Sequence, residues 1–187
     1  DPGVLGGALY YLIHSTFVVA GLYLLAEVIS IQRGTTRDYL TPAQPLLQSN
    51  TLGTLYFLGA ASIVGLPPLS GFISKLLIFQ GSISHPMAPL LWALLLLTGL
   101  VSLISLARAG STLFWRTNTQ PPVKHKADSA KLLVAAAVLL ISPAISIFAQ
   151  PVVQYAQATA QQIATPTLYI DAVLSGSPAA VQAAGDH

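Results

Sequence analysis

Two apolar runs, Leu55 to Val64 and Leu76 to Ile83, flank the stretch Gly65-Leu66-Pro67-Pro68-Leu69-Ser70-Gly71-Phe72-Ile73-Ser74-Lys75. Each run alone is too short to cross the roughly 30 Å hydrocarbon core of a bilayer, which takes about 20 helical residues, but joined they are long enough. Pro67 and Pro68 lack backbone donors and bias the residues before them away from helix, while Gly65 and Gly71 tolerate conformations that other residues resist. The pattern predicts one span over residues 51–84, broken at 65–71. Backbone groups freed at such a break survive in a membrane only where protein buries them or a water-filled cavity meets them. Lys75 follows the break by one helical turn. An ammonium at mid-membrane costs about 2.5–3.5 kcal/mol on insertion scales, so a lysine kept there faces a polar interior and marks an ion or proton path. The competing reading, a lysine snorkelling to an interface from a helix end, sits poorly with apolar residues on both sides.

Composition agrees with a chain built for lipid. Fifty-three per cent of residues are hydrophobic and 7 per cent charged, with a mean hydropathy of +0.69; a soluble domain carries more charge. The fold class expected is an all-α membrane protein of about four spans, one of them discontinuous, with a polar C-terminal tail. The net charge of +2 rests on eight basic residues, with no cluster that argues for nucleic acid. No cysteine is present, which excludes disulfides, thiol chemistry and cysteine metal sites. No metal, cofactor, phosphate-binding or nucleophile constellation stands out, so no covalent enzyme is expected. The chain begins at Asp1-Pro2 without an initiator methionine or a basic leader, and reads as a piece of something longer.

In order, residues 5–31 form the first expected span. His14 shares a helix face with Tyr10 or Tyr11 and can exchange a proton near neutral pH; interhelical structural glue is the plainer alternative. Glu27, near the end of that span, is either a wet interfacial carboxylate or a functional one. Residues 32–50, with Arg33, Arg37, Asp38, Pro42 and Pro45, read as a polar loop. After the broken span, Ser84-His85-Pro86 makes a tight exit, and Pro89 suits the first turn of the next helix. That third span, 88–115, has its apolar centre at Leu90 to Leu106, and Gly99, Ser102 and Ser105 allow close helix approach. Arg108 and the aromatic pair Phe114-Trp115 beside Arg116 look like a membrane interface, which makes Arg108 an anchor before it is a pathway residue. A second polar loop, 116–130, holds Lys124, His125 and Lys126. The last span, 129–149, bends at Pro143. Residues 150–187 form the tail, with one or two short helices and a disordered final ten residues expected.

Charge gives a topology. With one broken span, the loops carrying Arg33, Arg37, Arg116, Lys124, Lys126 and Lys131 fall on the same side, and the opposite side carries no lysine or arginine. The positive-inside rule makes loops 32–50 and 116–130 cytoplasmic and the tail external. Two complete spans in place of the broken one would scatter the positive loops over both faces.

The stretch from Gly65 to Lys75 resembles a motif of the large antiporter-like subunits shared by Mrp-type multisubunit cation/proton antiporters and respiratory complex I. These subunits carry a discontinuous helix with a G-x-P-x-x-x-G-F-x-x-K pattern, whose lysine is taken to relay protons along a hydrophilic axis. Lys75 falls on that lysine. Ala8 to Thr16, followed by Leu22-Tyr23-Leu24-Leu25, looks like the helix before it, and His14 matches its histidine. Many relatives place a lysine four residues after this histidine; here Val18 stands there, so that relay element is missing. Tyr10 to Ser15, Gly65 to Phe72, Ala107-Arg108-Ala109-Gly110-Ser111, Tyr155 to Ala160 and Tyr169 to Leu174 look most like the D-type subunit of the proteobacterial Pha/Mrp antiporters. The resemblance implies the last third or so of a subunit of about fourteen spans, in a hetero-oligomeric complex of a bacterial inner membrane, exchanging H⁺ for Na⁺ or K⁺. Such a piece would not hold a complete transport path. Two other readings stand beside it: a proton-pumping subunit of a quinone oxidoreductase or membrane hydrogenase, and a purely structural membrane subunit in which Lys75 belongs to a buried pair.

Overall fold

The first helix begins earlier than its apolar run because the chain caps itself: the Asp1 carboxylate accepts the Gly3 N–H at 2.8 Å, and Pro2 occupies the first helical turn. A proline there costs nothing, since that N–H has no intrahelical partner anyway. The resulting helix, α1 (Pro2–Gln32), is the mast of a computed structural model that describes residues 1–34, 39–118, 128–167 and 173. Arg37, Asp38, Lys124, His125, Lys126 and the expected disorder of the last ten residues lie outside the described part.

Five further helices follow among the described residues: α2 (Ser49–Val64), α3 (Ser70–Ser82), α4 (Ala88–Gly110), α5 (Ser129–Ile147) and α6 (Ala149–Ala164). A π-helical turn, Ser111–Trp115, extends α4. Among the described residues, three helical stretches are long and apolar enough to cross a membrane: Pro2–Gln32, Ala88–Trp115 and Ser129–Ile147. The molecule is an all-α membrane protein.

Neither α2 nor α3 could span alone, and their packing along α1 shows how they act together. Gly3 faces Gly81, and Gly7 faces Ile78. Higher up, His14 meets Ser70, Leu22 covers Gly59, and Gln32 donates to Gln48 at 2.8 Å. Each step up α1 is matched by a step down first α3 and then α2. The two half-helices therefore form one antiparallel partner for α1, interrupted beside His14. In lipid, helices associate through close packing of small residues, because the tails are as apolar as the side chains. A Cβ at Gly7 would lie 2.8 Å from the Ile78 nitrogen, so the bare backbone sets how closely α1 and α3 approach.

On another face of α1, α5 also runs antiparallel. Lys131 pairs with Glu27 at 3.0 Å, Leu139 covers Gly21, and the Tyr10 hydroxyl donates to the Ile145 carbonyl at 3.5 Å. Pro143 lies inside α5, and Phe148 separates it from α6. The latter turns back against the start of α1, with Gln157 on Gly6 and with Ala156 and Ala160 buried. The start of the polar tail is thus a helix docked on the bundle.

Candidate functional site

The break is built by Gly65. At φ +85° it takes the left-handed conformation that ends α2, and its N–H and that of Leu66 both donate to the Ala61 carbonyl at 3.0 and 2.9 Å. This is a glycine C-cap, the arrangement that closes many helices. The chain turns through Leu66–Leu69, with a cis peptide between Pro67 and Pro68, and α3 restarts at Ser70. The last carbonyls of α2 are left without helical partners. Two ionisable side chains approach that freed turn from different directions.

Lys75 comes from the α4 side. Its ammonium donates to the Val64 carbonyl at 2.5 Å, at the negative end of the α2 dipole, where a cation gains about 0.3–1 kcal/mol when exposed and more when part-buried. Gly65 and Gly99 leave the room it needs: a Cβ on either would lie 3.1 or 3.2 Å from Nζ. Lys75 is half-buried, in a cavity of about 300 Å³ shared with Phe72, Phe79 and Leu103. It lies in a groove between the broken helix and α4, not sealed in the protein interior.

His14 comes from the α1 side and is 1% exposed. Its Nδ1 shares a 2.6 Å hydrogen bond with Ser70 Oγ. That hydroxyl lies 2.8 Å from Ser142 Oγ, which donates in turn to Ser62 Oγ at 3.0 Å. Ser62 donates to the Leu58 carbonyl at 2.7 Å. Nε2 is buried with the Ser62 carbonyl as its neighbouring backbone acceptor, where Gly71 passes, at a geometry short of a full hydrogen bond.

Of the residues singled out from the sequence, Lys75, His14, Gly65 and Gly71 thus meet at the break, with Pro67 and Pro68 forming its turn. His14 and Lys75 share no hydrogen bond; the backbone from Ser62 to Gly65 stands between them. Glu27 and Arg108 belong elsewhere. Glu27 lies 13 residues from His14 along α1, roughly 20 Å at 1.5 Å per residue, in an exposed pair with Lys131. Arg108 is exposed, nine residues beyond Gly99 on α4, about 14 Å by the same rise, where it lines a groove with Leu40 and Val101.

Sequence reasoning missed Ser62 and Ser142, and treated Ser70 only as part of a motif. A serine in an apolar helix carries little signal, because its hydroxyl can always return to a carbonyl of its own helix. The sign available was Ser142 directly before an intrahelical proline.

The comparisons with known proteins bear on the same region. The family described as "NADH:quinone oxidoreductase/Mrp antiporter, TM" matches residues 3–118, which include α1 to α4 and the whole break. The chain is 31% identical to the D-type subunit of a Na⁺/H⁺ antiporter from Bacillus subtilis (strain 168) over 174 residues, 92% of this chain and 35% of the relative. It is 30% identical to the D-type subunit of a probable K⁺/H⁺ antiporter from Rhizobium meliloti (strain 1021) over 212 residues, 96% of this chain and 38% of the relative. A shorter match, 32% over 88 residues, 46% of this chain and 17% of the relative, is to the N-type subunit of an NADH-quinone oxidoreductase from Dehalococcoides mccartyi (strain ATCC BAA-2100 / JCM 16839 / KCTC 5957 / BAV1). The chain spans little more than a third of the length of the antiporter relatives it matches. It belongs to the NADH:quinone oxidoreductase/Mrp antiporter family of membrane proteins.

Proposed function

We propose that this chain is the C-terminal membrane segment of a D-type subunit of a multisubunit Na⁺(K⁺)/H⁺ antiporter, in which Lys75 accepts and releases a proton at the break and His14 relays it. One observation carries the reading: the Lys75 ammonium rests on a carbonyl freed by the broken helix. A lysine in that position keeps a favourable partner when charged, yet the partner is a neutral dipole and not a carboxylate, so losing the proton abandons no ion pair. Broken helices that present freed backbone to ions are a recurrent transporter device. The names of the relatives, D-type antiporter subunits of Na⁺/H⁺ and K⁺/H⁺ systems, support the class; other subunits complete the complex, in a bacterial plasma membrane. The match to a quinone oxidoreductase subunit favours a second reading, in which the same groups serve a redox-driven proton pump.

The test uses inside-out vesicles carrying the complete complex, energised to form a pH gradient, with Na⁺ or K⁺ then added. Wild type should dissipate the gradient with at least one cation, and Lys75→Ala and Lys75→Met, at matched complex content, should lose most of that response. Transport intact in Lys75→Met would make Lys75 a structural residue. A gradient insensitive to cations but built by NADH oxidation would replace the antiporter with the redox-driven pump.

A further inference from the structure

The hydrogen-bond chain behind His14 has a direction, and the direction assigns the ring's protons. Ser62 directs its one hydroxyl proton to the Leu58 carbonyl at 2.7 Å. Its oxygen then accepts the proton of Ser142 at 3.0 Å. With that proton committed, the 2.8 Å contact between Ser142 and Ser70 requires Ser70 to donate. Ser70 has no second proton, so in its 2.6 Å contact with His14 it must accept from Nδ1–H. A hydroxyl carries one donor and two acceptor lone pairs, and a neutral imidazole one donor and one acceptor; a chain that ends on a backbone carbonyl leaves no freedom for the links before it.

We propose that Ser70, Ser142 and Ser62 are positioning residues that hold His14 in its Nδ1–H tautomer, so that Nε2 is the atom that takes the transported proton. This deepens, and rests on, the relay reading of His14. Nε2 is buried without a hydrogen bond, beside the Ser62 carbonyl and the freed turn that Lys75 also contacts. A proton arriving on water adds to the Nε2 lone pair as the donor O–H bond breaks, and no electrons change hands. The imidazolium then has an acceptor for each N–H: Ser70 Oγ for Nδ1 and the Ser62 carbonyl for Nε2. The proton leaves Nε2 by the reverse step. Other ionisable groups facing the ring are few. On α1, the Tyr11 ring is centred 6.1 Å away and Tyr10 turns its hydroxyl to Ile145; on α3, Lys75 lies across the break. From α2 the ring meets the Ser62 backbone, and α5 reaches it only through Ser142 on Ser70.

The tautomer is read directly from ¹⁵N spectra of the complete complex labelled in histidine, with the His14 signals assigned by their loss in His14→Gln. Wild type should show a protonated Nδ1 and an unprotonated Nε2 at high pH, and this measurement needs no variant at the serines. Ser142→Ala interrupts the chain and frees Ser70 to donate, so the tautomer should become mixed or reverse. Cation-driven proton flux should fall about tenfold, part of the roughly 10²–10⁴-fold that a placed acid–base group supplies. Ser142→Thr, which keeps the hydroxyl, should retain the wild-type tautomer and most of the flux. An Nε2–H tautomer in wild type, or a Ser142→Ala complex with unchanged spectrum and flux, overturns the proposal. Should the relay reading of His14 fail instead, His14→Gln would leave proton movement untouched while the tautomer assignment stands on its own spectrum.

Discussion

At the scale of single residues, the site depends on an atom that is absent. Gly71 lies where α3 begins, and a Cβ there would overlap the Ser62 carbonyl oxygen and lie 3.0 Å from His14 Nε2. Backbone cannot yield as a flexible side chain does. Gly71→Ala should therefore cost about 1–3 kcal/mol, the usual range for overpacking, and abolish transport even where the protein assembles, because it pushes apart the carbonyl and ring that meet there. Gly53→Ala is the control: its Cβ would find only the Phe114 ring, at 3.7 Å, and should stay within about 0.5 kcal/mol of wild type, as surface changes usually do. Thermal unfolding in detergent and flux in vesicles check both. Much of this was legible beforehand. A lysine one turn beyond a Gly-Pro break inside an apolar run demands an explanation, and so does a histidine among leucines and tyrosines. What the sequence could not supply was direction. Nothing in the spacing says that Lys75 turns toward α4 while His14 turns toward Ser70 at the start of α3, since that depends on how three helices are rotated against one another. The serines were hidden for a related reason: Ser62 and Ser142 are 80 positions apart and acquire a partner only once α1 brings their helices together.

At the scale of elements, the broken helix is held on both sides of its gap by one continuous neighbour. Because α1 spans both halves, α2 and α3 remain in register although the chain between them is not helical. The break can then expose carbonyls without letting the halves drift. Gly65 is its hinge point, with φ +85°. An alanine there would bear the left-handed penalty of about 1–2 kcal/mol, and its Cβ would lie 3.1 Å from Lys75 Nζ and 3.2 Å from the Gly71 carbonyl. Gly65→Ala should lower the unfolding midpoint modestly but reduce cation-driven flux out of proportion, because the ammonium is displaced from Val64. Equal losses in stability and flux would mean that Gly65 only shapes the chain. The apolar runs and the prolines announced α1 to α5 well, since membrane helices follow length and hydropathy. The docking of α6 was not announced: polar by composition, it is recruited through Ala156 and Ala160, whose small side chains allow close approach to α1.

For the whole molecule, the two ends of the bundle differ in charge and are fixed by contacts. At one end, the segment after α1 and the segment after α4 touch: Asn118 N–H donates to the Ala43 carbonyl at 2.9 Å, Arg33 donates to Thr41, and Lys131 meets Glu27. At the other end, Ser82 to Met87 connects α3 to α4 near the start of α1, without a lysine or arginine. Lateral surfaces are apolar, with Leu90, Leu94, Leu97 and Val101 exposed along α4, a face suited to lipid or to further membrane helices. An excess of positive charge in short loops directs them to the cytoplasm, so the end with Arg33, Arg116 and Lys131 should face inward. This segment brings no cysteine of its own, so a complete complex whose remaining cysteines have been replaced offers a test. Ser84→Cys and Thr117→Cys, both at exposed positions on opposite ends, would be treated with a membrane-impermeant maleimide in intact spheroplasts. Ser84→Cys should label at once and Thr117→Cys only after permeabilisation. The reverse pattern would invert the topology and place the Lys75 cavity on a path entered from the other side, while labelling of both in intact spheroplasts would mean that α4 does not cross the bilayer between them.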